Sequence, residues 1–443
     1  MEWTLATLAV VFLAFAAISG RIDGTPITAP MFFTAAGLVF GVDALGLVDP
    51  SPNGETVKLL AEATLTLVLF ADASRIDLRA LRGELAVPAR LLGIGLPLTL
   101  GAGFLAALAV LGSLDWPEAL VLAIILAPTD AALGQAVVTL PRLPSRIRQG
   151  LNVESGLNDG ICVPIFFVAL AVAQAEEGAI GNGAAAHLVA EELGYGILGG
   201  AIAGVAAAGV VILAGRRGFI EGSWLQIIPL AGAGLAYGIA NPLGGSGFIA
   251  AFVGGLVFGA LRQRPEAEVE YLIEEGGAIL SGLTFIVFGA TLLEPALDKV
   301  TVSVVLYAVL SLTVVRMVPV AIAMLGTGAR RPTVGFLGWF GPRGLASIVF
   351  AIIVLEEGGL PHDTTILETV YITIGLSVFA HGLSAAPLAN RYARWYEAHP
   401  RETPLPLEGE PVHEVRWRRG FGTGSARGVL HKAGPRPLGG SLE

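Results

Sequence analysis

The chain has 443 residues, 54% of them hydrophobic and only 14% charged, where soluble domains carry about 25% charge. That balance excludes a water-soluble protein, and with a net charge of −9 no nucleic-acid partner is expected. The single Cys162 excludes a disulfide framework and a Cys-rich metal or iron–sulfur centre, and no cofactor is called for.

Apolar runs long enough to cross about 30 Å of hydrocarbon fall at residues 3–20, 28–46, 56–72, 91–112, 117–140, 149–174, 188–214, 224–240, 246–261, 270–292, 301–326, 335–356 and 364–389. The first lacks a basic flank and an obvious cleavage site, so it reads as a retained helix, not a signal peptide. Lys and Arg should alternate between rich and poor loops, and they do. The odd-numbered loops hold Arg21, then Arg75, Arg79, Arg82 and Arg90, then Arg142, Arg146 and Arg148, then Arg216 and Arg217, then Arg262 and Arg264, then Arg330 and Arg331. The even-numbered loops hold only Lys58 and Lys299. The expectation is an all-α polytopic protein of the cell inner membrane with about 13 transmembrane helices, its N-terminus outside and its C-terminus cytoplasmic. Residues 391–443 carry nine Lys and Arg against six acids and many prolines, and read as a disordered cytoplasmic tail beside anionic lipid.

Two spans set helix-breaking residues directly beside a charged one. In the fifth, Pro128 removes a backbone donor and disfavours helix at the residue before it, which predicts a break beside Thr129 and Asp130. In the twelfth, Gly341, Pro342 and Gly344 flank Arg343 and predict a second. These spans lie seven apart, so they cross in opposite directions. Paired interrupted helices in corresponding positions mark an inverted-repeat secondary transporter, with core triplets at helices four to six and eleven to thirteen. Half-helix ends are positive at N-termini and negative at C-termini, and Asp130 and Arg343 have the signs to meet them.

The sixth span carries Asn-Val-Glu-Ser-Gly-Leu-Asn-Asp. At 3.6 residues per turn, Ser155 and Asp159 share one face while Glu154 and Asn158 share another. A rise of about 1.5 Å per residue puts Asp159 and Asp130 roughly 15 Å deep and Arg343 roughly 13 Å deep, one level near the midplane where such transporters bind their substrates. Arg316 and Arg343 are the only basic residues deep inside spans, and intramembrane charge is usually paired or functional. Arg316 is expected to pair with helix-end carbonyls or a nearby acid. Asp72 lies at the cytoplasmic end of the third span.

At Pro128-Thr129-Asp130, Glu154 to Asp159, Gly341 to Gly344 and, more weakly, His381 to Ser384, the chain resembles the monovalent cation:proton antiporter family. The branch is the Asn-Asp one, with the NhaP-like sodium/proton antiporters. The resemblance covers roughly residues 3–390. It implies a homodimer in which dimerisation helices (about 3–72 and 224–292) flank a mobile core (about 91–174 and 301–389). It also implies that Asp159 binds cation or proton, that Asp130, Thr129 and Ser155 complete the site with Asn158 beside them, and that Glu154 pairs with Arg343. The transported alkali cation, ligated by Asp159 and Asp130, would be the only metal. Arg316 and Asp72 are possible accessories, although the acid that many relatives place directly after Phe70 is here Ala71, which makes Asp72 a doubtful ligand.

A carboxylate holds a cation or a proton, hardly both, and Asn158 adds no second charge. One-for-one, electroneutral exchange of sodium, or of lithium or potassium, for a proton is therefore expected, with potassium/proton antiport as the alternative. A reading from another class, an intramembrane serine protease, would use Ser246 of Gly244-Gly245-Ser246-Gly247 with His381 as base, and leaves both aspartates idle.

Overall fold

Lipid offers no partner to a backbone N–H or C=O, so a chain crossing it must satisfy both within itself. Every one of the thirteen apolar runs contains helix in the computed structural model, which describes residues 3–22, 25–48, 54–76, 86–130, 133–134, 137, 140–176, 182–262, 267–357, 359–398 and 407–408. The helices are α1 (Thr4–Ile22), α2 (Ala29–Phe40), α3 (Glu55–Ser74), α4 (Ala86–Val110), α5 (Trp116–Ile125), α6 (Ser145–Glu176) and α7 (Asn182–Arg216). They continue with α8 (Ser223–Leu243), α9 (Gly247–Arg262), α10 (Val269–Leu297), α11 (Val302–Ala323), the two pieces α12a (Arg331–Trp339) and α12b (Leu345–Glu357), and α13 (Asp363–Glu397). Most of 131–139, the far half of the fifth span, lies outside the described residues.

Local chemistry sets the ends. Thr28 and Thr301 accept the N–H groups of Met31 and Val304, and Asp115 with Glu118 forms a capping box at α5, each closing donors that a helix start leaves open. The inverted repeat is visible in the triplets α4–α6 and α11–α13. The first member of each is irregular: α4 through a π turn at Leu91–Gly95, just ahead of Pro97, α11 at Thr313, where φ −115° and ψ −90° part its two pieces. The second member is interrupted. The third is long, 32 and 35 residues, with one internal proline, Pro164 or Pro387.

The remaining helices make a second bundle, in which α9 packs on α3, α7 and α8, and α10 packs on α2 and α3. Small residues let these backbones close up. A methyl group on Gly37 of α2 would overlap the Ile286 carbonyl of α10, and one on Gly289 would overlap the Thr34 carbonyl. The two bundles meet where α6 lies against α3, α7 and α9, and where α12b lies against α3.

The tail expected from residue 391 begins later, because α13 continues to Glu397. Leu407 and Glu408 are buried at 4% and 2% exposure; the Glu408 carboxylate accepts from the Thr333 hydroxyl and, at 3.0 Å, from the Arg330 N–H at the start of α12a. Residues 399–406 and 409–443 lie outside the described residues.

A candidate ion site at two crossed helix breaks

α5 ends at Ile125 and α12a at Trp339, and the two extended segments that follow run against each other: the Asp130 N–H donates to the Pro342 carbonyl at 2.8 Å. Each break is closed by the other's charged residue. The Asp130 carboxylate accepts the Leu345 N–H at 3.0 Å, at the positive N-terminus of α12b. The Arg343 guanidinium donates to the carbonyls of Ala127 at 2.7 Å and Pro128 at 3.4 Å, at the negative C-terminus of α5. Both charges meet the half-helix partial charge of opposite sign, and the donors fill carbonyls that would be costly to leave bare away from water.

The third helix of each triplet braces the break of the second. From α6, the Ser155 hydroxyl donates to the Thr129 carbonyl, and the Asn158 amide donates to the Ala127 carbonyl at 3.3 Å and the Thr129 hydroxyl at 3.4 Å. The Asn158 carbonyl in turn accepts from the Cys162 thiol at 3.3 Å, so its amide is engaged at both ends and acts here as a brace. From α13, the Ser377 hydroxyl accepts the Arg343 N–H at 2.6 Å and meets His381 Nδ1 at 3.1 Å, while His381 Nε2 reaches the Trp339 carbonyl at 3.0 Å. A neutral ring with its proton on Nε2 satisfies that chain, Nδ1 accepting from Ser377. Ser347 of α12b adds a hydroxyl on the Ile125 carbonyl at 2.6 Å.

Asp159 follows one turn after Ser155 on the same face of α6, which sets it at the edge of the α5 break. It is 9% exposed, as is Asp130, and Thr129 is 3% exposed. The next residue, Gly160, leaves the space that the Phe252 ring of α9 fills. A hard alkali ion wants oxygen ligands, and carboxylates, hydroxyls and break carbonyls are what gather here.

The expected Glu154–Arg343 pair is not formed. Glu154, 1% exposed, is paired with Arg316 of α11, at 2.6 Å to Nη1 and 2.8 Å to Nη2. Arg343 is occupied by the carbonyls that the α5 break exposes, and the irregularity at Thr313 together with the bare Cα of Gly341, where a methyl would collide with the Arg316 side chain, brings Arg316 across instead. The sequence held both arginines as intramembrane bases, but nothing in its spacing chose between them.

Asp72 lies toward α6: a methyl group on Gly156 would be 3.6 Å from its Cβ. It also faces Arg75 at 3.9 Å, within a buried network in which Arg75 contacts Glu270 (3.7 Å) and Glu274, and Arg262 contacts Glu270. Sequence reasoning missed this network, and it missed Ser347 and Ser377, whose signal was a hydroxyl four residues from Arg343 and one four residues before His381. The protease pair is not brought together: Ser246 caps the Ile249 N–H at 3.4 Å at the start of α9, while His381 is held by Ser377 and Trp339.

The close approach at Gly344 can be tested. A methyl group there would overlap the Asp130 carboxylate, whereas nothing lies within 4 Å of one built on Gly335 of α12a. Gly344→Ala is expected to destabilise by about 1–3 kcal/mol, as overpacking does, and Gly335→Ala to lose nothing, in thermal unfolding of the detergent-solubilised protein.

Two half-helices crossed at mid-membrane, each capped by the other's charge, define a secondary transporter with its site at the crossing. The transmembrane sodium/hydrogen exchanger family matches residues 8–391, and the chain belongs to it. It is 26% identical over 425 residues to the K(+)/H(+) antiporter NhaP of Alkalimonas amylolytica, covering 93% of this chain and 71% of the relative. It is 29% identical over 408 residues to an uncharacterized Na(+)/H(+) exchanger of Mycobacterium bovis, covering 83% and 72%. The fold matches the sodium proton antiporter MjNhaP1 from Methanocaldococcus jannaschii at pH 8 with a TM-score of 0.72 and 20% identity, over 86% of this chain and 98% of that one. The protein is thus an antiporter and not an enzyme.

Proposed function

We propose that the chain exchanges one sodium ion, or another alkali cation, for one proton, by alternating access of a site centred on Asp159 and completed by Asp130, Thr129 and Ser155. The observation that carries the stoichiometry is the charge balance at the crossing. Three acids, Asp130, Glu154 and Asp159, and two bases, Arg316 and Arg343, are buried on the helices that build the crossing, all at 9% exposure or less, for a formal charge of −1. A bound cation or a bound proton brings that to zero. Moving a net charge across the membrane potential costs about 2.3 kcal/mol per 100 mV, and a site that crosses neutral in both directions avoids it.

In this reading α4–α6 and α11–α13 travel as the core, α1–α3 and α8–α10 form the dimerisation unit of a homodimer, and the C-terminus faces the cytoplasm of an inner membrane. Potassium/proton exchange by the same route is the second reading, favoured by the likeness to the K(+)/H(+) antiporter of Alkalimonas amylolytica.

The experiment is cation-dependent proton flux in proteoliposomes, scanned over lithium, sodium and potassium, with the membrane potential clamped at several values. Equal initial rates at every potential are expected. Rates that climb with potential would overturn one-for-one exchange, and the ion giving the highest rate at limiting concentration decides between sodium and potassium.

A further inference from the structure

At the end of α3 opposite Asp72, a cavity of about 370 Å³ opens between the two bundles. One wall is Lys58, Glu62, Glu192 and Tyr237 with the α8–α9 turn; the other is α6 and α12b, through Phe167, Val349, Ile352, Glu356 and Glu357. Its ionisable carboxylates and ammonium are unequal, four glutamates against Lys58 alone. The Lys58 ammonium, on a side chain 46% exposed, bridges to Glu356 at 2.5 Å. That bond ties α3 to α12b, across the seam between the bundles.

The cavity points at the ion site. Val349 stands four residues along α12b from Leu345, about 6 Å, and the Leu345 N–H is the one held by Asp130. Val349 is fully buried and Phe248 is 5% exposed, so an apolar floor separates the acidic space from the aspartates. Acidic walls on low-dielectric surroundings concentrate cations, while a half-exposed lysine bridge contributes little to stability and can break in every cycle. Lysine is a compact charge on a flexible stem, able to withdraw from Glu356 without unfolding α3.

We propose that Lys58 and Glu356 are the outer gate of the exchanger: the bridge holds α12b against α3 while the ion site faces the other side, and it parts when an external cation replaces the ammonium among the glutamates. The gate rests on the exchanger reading above. It makes Lys58 a tethered competitor of the external cation, and so a determinant of apparent affinity on that face.

The test uses the full chain in sided vesicles, with a membrane-impermeant maleimide applied to Val349→Cys in a Cys162→Ser background. Lys58→Met and Glu356→Gln are each expected to speed labelling of the cavity floor several-fold. Lys58→Met is also expected to lower the half-saturating external sodium concentration several-fold and, by favouring the outward-facing form, to raise the internal one. The exchanged pair Lys58→Glu with Glu356→Lys should return labelling to the parent rate. Lys299→Met, which removes a lysine 4.0 Å from Glu368, should change none of these. Unchanged labelling in both single variants would overturn the gate, and should Lys58→Met fail to fold, Glu356→Gln breaks the same bridge from its other end. Absence of exchange in the parent protein would count against the exchanger reading, with the labelling rates still deciding the gate.

Discussion

Asp159→Asn is expected to reduce alkali-cation-dependent proton flux to the rate of protein-free liposomes while the protein still folds. The amide keeps the shape and the hydrogen-bonding capacity of the side chain but has neither the charge that attracts a cation nor a proton that can be released near neutral pH. Asp130→Asn gives a contrasting result, because its carbonyl still accepts the Leu345 N–H and only the charge-assisted part of that bond is lost, roughly half its strength. A graded loss of flux is expected there, not abolition. Robust cation-driven proton movement in Asp159→Asn would reject Asp159 as the carrier, and equal abolition by both variants would mean that the two aspartates act as one ligand set.

Removing Arg316 is expected to be the most damaging structural change in the core. Glu154 is 1% exposed and both of its carboxylate oxygens meet this guanidinium. A buried charge stripped of its partner typically costs about 3–5 kcal/mol, which in a membrane protein shows as lost folded material before any effect on rate. Arg316→Met should therefore give little folded protein, and the double variant with Glu154→Gln should recover much of it. The same cycle run with Arg343→Met decides the partner. Arg343 serves the Ala127 and Pro128 carbonyls and meets Glu154 only through space, so its loss should couple to that of Glu154 more weakly than the loss of Arg316 does. Thermal unfolding in detergent supplies the numbers; an Arg343 coupling to Glu154 as large as that of Arg316 would sink the assignment.

Much of this was legible before any coordinates. Thirteen spans followed from apolar run length and the alternation of arginines, and both breaks followed from Pro128 and the Gly341–Gly344 run, because these residues act on the backbone locally. The signs of Asp130 and Arg343 against the half-helix ends were readable for the same reason. Partner choice was not. Whether Glu154 would meet Arg316 or Arg343 depends on a bend at Thr313 and on room over Gly341, and both are properties of how three helices pack. The braces Ser377 and Ser347 were also hidden, since a serine in an apolar helix has the same sequence appearance whether it bonds its own turn or a neighbour's broken end. The continuation of α13 to Glu397 escaped for an opposite reason: the polar composition after residue 390 suits a helix end projecting into water as well as it suits a disordered chain.

The closure of both breaks by Ser155, Asn158, Ser377, His381 and the two crossed charges has a mechanical result. None of these bonds reaches outside the two triplets, so a displacement of the core need not break any of them, and no water has to enter to replace a lost partner. Apart from the Lys58–Glu356 bridge across the seam, resistance to movement then lies in the sliding of apolar faces past the other bundle and past acyl chains. Turnover should respond to the thickness and viscosity of the bilayer more steeply than to agents that compete for hydrogen bonds.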